Sequence, residues 1–219
     1  MLFRDRHDAG RRLATRLARY AGRPDVIVLG LPRGGVPVAA EVARALGAPL
    51  DVLVVRKLGV PGHEELAMGA LAPDGRIVLE EGVVRMLGLD GRTIQEVAAA
   101  EARELARRER AYRGARPALD LRGRTAILVD DGLATGSSMR AAAAAARALG
   151  AQHVVVAVPV APPDGVDPAR LGADEIEVVA TPPQFDGVGR WYDDFTQTSD
   201  DEVRALLASL NAAGAESAR

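Results

Sequence analysis

The stretch Ile127-Leu128-Val129-Asp130-Asp131-Gly132-Leu133-Ala134-Thr135-Gly136-Ser137-Ser138-Met139 decides how this chain is read. An apolar run ends in two adjacent acids, passes through a loop of small and hydroxyl residues, and enters an Ala-rich segment with helical character. Backbone N–H groups at a helix N-terminus lack intrahelical partners and favour anions. Gly136 lets the backbone approach a ligand closely, and Thr135, Ser137 and Ser138 add hydroxyl donors. Residues 134–138 therefore read as a cradle for one phosphate group. Carboxylates beside a phosphate repel it unless the ligand also offers hydroxyls, or a cation lies between. A phosphorylated sugar meets both conditions: its diol donates to Asp130 and Asp131, and Mg2+ bridges its oxygens. A hydrogen bond to a charged acceptor is worth roughly 1.5–3 kcal/mol, enough to retain a ribose. The cradle lacks the G-x-x-x-x-G-K-[ST] pattern of the nucleoside-triphosphate loop. The plain alternative, a helix cap after a buried strand, leaves the adjacent acids without a use.

Outward from this stretch, the chain alternates strand and helix. Residues 25–31 are a short apolar run ending in Gly and Pro, a buried strand by pattern. Residues 34–46 read as a helix closed by Gly47, and 50–55 as the next strand, which together make a right-handed βαβ unit. Residues 125–129, 153–160 and 175–180 supply three more strands, and 137–149 a helix closed by Gly150. Helices are also expected over 8–20, 93–113 and 200–210, with the residues after Leu210 left outside the last. In 93–113, Glu104 and Arg108, and Glu109 and Arg113, lie four apart, the mark of a solvated face rather than of a basic nucleic-acid surface. Two short runs in 66–79 flank Pro73-Asp74-Gly75, a hairpin signal. The pattern predicts an α/β fold: a twisted, mainly parallel sheet flanked by helices, in a single domain spanning 1–219.

Composition narrows the function classes. Of 219 residues, 48% are hydrophobic, enough for a sizeable core. The net charge of −2 gives no global attraction to nucleic acid or anionic membrane, so an anion site must be local. The absence of cysteine excludes disulfides, thiolate metal sites and cysteine nucleophiles, and fits a reducing, cytoplasmic setting. The first 20 residues carry Asp5 and Asp8 among arginines and read as part of the fold rather than as a leader.

The 127–139 stretch resembles the signature of type I phosphoribosyltransferases: apolar strand, two acids, then a loop of the form x-x-Thr-Gly-x-[Ser/Thr]. The resemblance implies that Asp130 and Asp131 hold the ribose of 5-phosphoribosyl-1-pyrophosphate (PRPP), and that Ala134, Thr135, Gly136, Ser137 and Ser138 hold its 5-phosphate. Leu31-Pro32-Arg33-Gly34-Gly35 resembles the family's pyrophosphate loop, with Gly34 and Gly35 permitting a strained backbone that turns N–H groups inward and Arg33 supplying charge. Arg56 and Lys57 close the second strand, at the end where open α/β sheets bind ligands, and would neutralise the pyrophosphate. Residues 56–80 match the family's mobile hairpin loop, from which Glu64 would meet a base nitrogen. Residues 181–199, with the N-terminal segment, resemble a base-binding hood, in which Phe185 or Trp191 would stack on a base and Asp193 would assist a magnesium ion with Asp130 and Asp131. Hypoxanthine-guanine enzymes carry Asp where this chain has Ala134, and no Lys stands on the 153–160 strand, so an adenine-like base is favoured. The implied function is Mg2+-dependent transfer of phosphoribosyl from PRPP to a nitrogen nucleophile, by a homodimer. The alternative is a PRPP-binding sensor without transfer.

Overall fold

The apolar runs become strands because their neighbours on both faces are helices. The computed structural model describes residues 1–217. In chain order the elements are α1 (Arg6–Arg16), β1 (Val26–Gly30), α2 (Gly35–Leu46), β2 (Leu50–Val52), β3 (Arg56–Val60), β4 (His63–Leu71), β5 (Ile77–Leu79), α3 (Glu81–Leu87), α4 (Gly91–Arg113), β6 (Thr125–Val129), α5 (Ser137–Ala148), β7 (His153–Val160), α6 (Pro168–Leu171), β8 (Glu175–Ala180) and α7 (Asp200–Ser217). The main sheet has the order β2-β1-β6-β7-β8, and each neighbouring pair is parallel. Every residue of β1 and β6 is buried.

The strand period of two sorts the core into two layers. Val28, Ile127 and Val129 pack with α1, α2, α4 and α7 on one face. Leu29, Ala126 and Leu128 pack with α5 on the other. Helix α2 ends at Gly47, in the left-handed region at φ 62°. Helix α4 starts from Asp90, whose side chain accepts from the Thr93 N–H at 2.8 Å.

The sequence reading attaches Arg56 and Lys57 to the second strand, but β2 stops at Val52 and they open β3. The turn at Gly62 (φ 79°) folds β4 back on β3, and β5 pairs with β4 across the turn at Gly75 (φ 83°). Residues 56–80 are thus largely a separate three-stranded antiparallel sheet with the order β3-β4-β5, hereafter the flap, rather than a loop with one hairpin. The turn glycines were legible; the pairing of β3 with β4 was not, because Gly59 and Pro61 mask the strand pattern. Helix α3 was not anticipated, and α7 continues past Leu210 to Ser217. Among the described residues, no helix is long and apolar enough to cross a membrane.

Candidate active site

The sheet order reverses between β1 and β6, and open α/β sheets form their ligand crevice at such a point. The two strand exits are joined: the Leu31 N–H donates to the Val129 carbonyl at 2.8 Å. The Pro32–Arg33 peptide is cis. Gly34 has ordinary helical angles (φ −61°, ψ −32°), the Gly35 N–H donates to the Leu31 carbonyl, and the Val36 N–H donates to the Arg33 carbonyl. Neither glycine has a positive φ, and the Gly35 N–H is taken up by the Leu31 carbonyl, which corrects the expectation that it turns inward. Glycine is needed for closeness: a Cβ on Gly34 would lie 2.1 Å from Asp131 Oδ2, and one on Gly35 would lie 2.5 Å from the Val129 carbonyl oxygen.

Asp130 and Asp131 follow β6 directly, and the Asp131 N–H donates to Asp130 Oδ1 at 2.9 Å. Burial, then the charge of Asp131, pushes the Asp130 pKa well above the usual carboxylate range. Burial also raises that of Asp131, against the pull of the Arg6 guanidinium. Past the acids, Gly136 sits at φ 75° as the N-cap of α5 and brings no side chain to the first-turn N–H groups. Thr135 Oγ1 donates to Ser137 Oγ at 3.2 Å, which folds the loop over the helix start. A cavity of about 140 Å³ is walled by Ala134, Thr135 and Gly136 together with Arg140 and Arg170. These two arginines, absent from the sequence reading, lie on α5 and α6.

The largest cavity beside the acids, about 630 Å³, runs between sheet and flap. Leu31, Asp130 and Ser138 line its floor, and Arg56, Lys57 and Glu64 line its flap side. That volume suits a small-molecule ligand. Arg56 Nε donates to Glu101 Oε2 at 2.5 Å, and Arg33 Nη1 lies 3.7 Å from Asp200 Oδ1. Glu101 and Asp200, on α4 and α7, were not anticipated as counter-charges, because nothing in local sequence joins them to these arginines.

Residues 4–185 match the family model described as "Phosphoribosyl transferase domain". The chain belongs to the phosphoribosyltransferase family. Two Mycobacterium tuberculosis proteins, from strains CDC 1551 and H37Rv, each bear the name "Putative phosphoribosyl transferase"; each is 55% identical to this chain over 206 residues, 94% of its length. The match covers 46% of each relative, so the chain spans about half the length of these proteins. The crystal structure of TT1426 from Thermus thermophilus superposes with a TM-score of 0.87 at 44% identity, covering 96% of this chain and 99% of that one.

Beside the acid pair, two segments far apart in sequence pack together. The Leu2 and Phe3 N–H groups donate to the Trp191 carbonyl, and the Asp193 and Asp194 N–H groups donate to the Phe3 and Arg4 carbonyls. Phe185, Val188 and Trp191 pack against Phe3 and Tyr192. Neither Phe185 nor Trp191 lines the 630 Å³ cavity, and Trp191 borders a different one beside Pro182 and Arg190. Asp193 is exposed and also lies outside that lining. Sequence reasoning also missed Arg6. Its Nε and Nη2 each lie 2.9 Å from Asp131 Oδ2, its Nη1 donates to the Thr196 carbonyl at 2.7 Å, and its guanidinium lies 4.0 Å from the centre of the Phe195 ring. Asp131 is not among the residues that line the large cavity, and its Oδ2 meets Arg6 instead. An arginine in a helix rich in arginines carries no local sign of such a role.

Among the described residues, no group of three His, Asp or Glu side chains could hold a metal alone. Magnesium needs only one or two protein carboxylates when substrate oxygens complete its shell. The partly buried Asp130 carboxylate in the cavity floor fits that mode.

Proposed function

We propose that this protein is a Mg2+-dependent phosphoribosyltransferase that moves phosphoribosyl from PRPP to a nitrogen nucleophile and releases pyrophosphate. The observation that carries this reading is one crevice with Asp130 and Ser138 on its floor and Arg56 and Lys57 on its flap, together with a second cavity walled by the Gly136 loop. In this reading residues 134–138 take the 5-phosphate through N–H and hydroxyl donors, and Asp130 accepts from a ribose hydroxyl. Arg33, Arg56 and Lys57 face the pyrophosphate, with Gly34 and Gly35 allowing its loop to lie against the acid pair. Asp130 would hold magnesium, which would supply positive charge beside the departing group. The nitrogen lone pair forms a bond to C1, the C1–O bond breaks, and its electron pair leaves with pyrophosphate. Positioning and charge stabilisation supply most of the acceleration. The acceptor is a nucleobase-like amine, adenine-like by virtue of Ala134, reached by Glu64 and by Phe185 or Trp191 of the hood after rearrangement. The working form in this reading is a cytoplasmic homodimer in nucleotide metabolism.

A second reading, a PRPP sensor without transfer, is favoured by one feature. Arg33 and Arg56 already face internal carboxylates, and Asp131 an internal arginine, so the site charges are balanced without ligand. One experiment decides between them: pyrophosphate release from PRPP with Mg2+ across purines, pyrimidines and amines, with Asp130→Asn as control. Release that needs one nucleophile and is lost in the control establishes transfer. Saturable PRPP binding without release establishes the sensor, and no binding overturns both.

A further inference from the structure

We infer that the cleft between the flap and the outer side of α5 is a second binding site, for a nucleotide, and that a nucleotide seated there fastens the flap to the body of the protein. The binding stands apart from the PRPP reading above; only its consequence for PRPP rests on that reading.

The cleft has a volume of about 620 Å³, close to that of the cavity over Asp130, and suits a small-molecule ligand. On one side it is walled by α5 and α6, on the other by β4 and the start of α3. Residues 140, 144 and 147 follow one side of α5 at helical spacing. Ser138, which lines the cavity over Asp130, precedes Arg147 by about two and a half turns and so stands on the opposite side. Helix α5 therefore separates the two cavities. The flap borders both: Glu64 of β4 lines the first, and Leu66 and Ala67 of the same strand line the second.

The charges of the cleft are largely uncompensated. Arg140, Arg147 and Arg170 share it with one carboxylate, Glu80, in a chain whose net charge is −2. In the cavity over Asp130, Arg56 already meets Glu101. In the cleft, Arg147 meets Asp174 at 2.5 Å. Arg170 donates only to the Asp164 carbonyl, at 3.2 Å, and the Arg140 guanidinium meets no carboxylate among the described residues. Glu80 is the N-cap of α3, where a polar side chain normally accepts from first-turn N–H groups, yet its carboxylate caps nothing. Between these charges the walls are apolar, and Leu66 is left 38% exposed beside Val83. A fitting ligand carries negative charge for the guanidinium forks, a flat apolar body for Leu66 and Val83, and an N–H donor for Glu80. Inorganic phosphate or pyrophosphate offers only the first. A nucleotide with an amino-bearing base offers all three. Such a ligand joins α5 and α6 to β4 and α3, while PRPP, in the reading above, meets Arg56 and Lys57 of the same flap. Each ligand then favours the same flap position, and the coupling is reciprocal.

The test titrates ADP into the protein with PRPP and Mg2+ saturating and no acceptor present, so that the crevice is filled, and follows amide hydrogen exchange over residues 63–84. Inorganic pyrophosphate is the second probe. Because Arg140 and Arg170 also wall the smaller cavity beside residues 134–136, the variants that separate the sites are Arg147→Gln and Ala169→Glu, whose positions line the cleft alone. Ala169 is exposed, and thermal unfolding without ligand is the folding control for both. ADP is expected to bind beside PRPP, to slow exchange over 63–84, and to lower the Kd for PRPP about fivefold or more. Arg147→Gln should raise the Kd for ADP roughly five- to tenfold and Ala169→Glu roughly tenfold or more, with PRPP affinity in the absence of ADP unchanged. Glu80→Ala should weaken ADP and leave pyrophosphate no weaker. The site is overturned if PRPP displaces ADP, or if both cleft variants bind ADP as the wild type does. Pyrophosphate binding as tightly as ADP would overturn the nucleotide assignment, and ADP binding with unchanged flap exchange would overturn the fastening. Should the wild type bind no PRPP, the functional reading fails, and the same titrations without PRPP still decide the site: loss of ADP affinity in Ala169→Glu supports it, and wild-type affinity there overturns it.

Discussion

The floor of the crevice and the hood that meets Asp131 beside it, here the roof, are built from different interactions. The floor is backbone against backbone: β1 and β6 are wholly buried, the Leu31 N–H closes onto Val129, and Gly35 lies where no Cβ would fit. The roof is joined to that floor chiefly by side chains. Phe3 lies 5.3 Å from Tyr192, Tyr192 lies 5.0 Å from Phe195, and Arg6 bridges Phe195 to Asp131. A floor of this kind is rigid by geometry and intolerant of added atoms. A roof of this kind depends on a few polar contacts and can be released by changing one of them.

The sharpest way to break the comparison is Arg6→Met. Removing one partner of a buried ion pair typically costs about 3–5 kcal/mol, because the other charge is left buried. Urea unfolding should show a loss of that order, with part of it recovered when Asp131→Asn is added. A loss below about 1 kcal/mol, the usual worth of an exposed pair, would mean that the roof is not held through this contact. On the floor, Gly35→Ala should cost about 1–3 kcal/mol, the usual cost of overpacking, because the new Cβ meets the Val129 carbonyl rather than a movable side chain. A neutral result in the same unfolding series would show that the floor yields.

Asp130 sharpens the comparison through pH. Its pKa is raised by burial and by Asp131, so the folded state takes up its proton more readily than the unfolded chain. The stabilisation from that proton is present below the ordinary carboxylate pKa and is lost as pH rises through the raised value. Asp130→Asn should therefore unfold at a higher temperature than wild type at pH 8 with EDTA, and the difference should shrink towards pH 4. A variant less stable than wild type at pH 8 would show that this carboxylate is stabilising without a ligand.

The smallest effect is expected at Glu175, which ties the end of the N-terminal segment to β8. Hydrogen bonds first from Arg19, then from Tyr20 and His153, outweigh a partial desolvation and bring its pKa from 4.5 to about 2. Its contribution is complete above 4.5 and is lost as pH falls towards about 2. The pair is partly exposed, so Glu175→Gln should cost less than about 1 kcal/mol at pH 7 and flatten the acid limb of thermal stability. A larger loss would make this end of the N-terminal segment as important as the Arg6 contact.

Legibility followed the same division. The acids, the Gly136 loop and the 31–35 turn were readable because their chemistry is concentrated in short runs, and the structure gathers Asp130, Ser138, Arg56, Lys57 and Glu64 around one cavity. The reason for Gly34 and Gly35 was misread: local sequence signals a special backbone angle, while the actual constraint is Asp131 and Val129 close against them. The flap was half readable, its turns marked by glycine and its pairing decided by tertiary register. Phe185 and Trp191 were recognisable as hood residues, but their packing against Phe3 depends on a segment at the other end of the chain.

By itself, then, the sequence determined the α/β alternation, the strand that ends in two acids, and the glycine- and hydroxyl-rich loop that follows. Each is written in local periodicity and in glycine and hydroxyl placement, and needs no distant partner to be recognised. Only the tertiary structure decided which acid faces the cavity, which charges already have counter-charges, and what holds the roof. Those outcomes rest on contacts such as Arg6 with Asp131, 125 residues apart, and Arg56 with Glu101, 45 apart. Such pairs are set by where the sheet and helices bring side chains together, and no short run of residues carries that information.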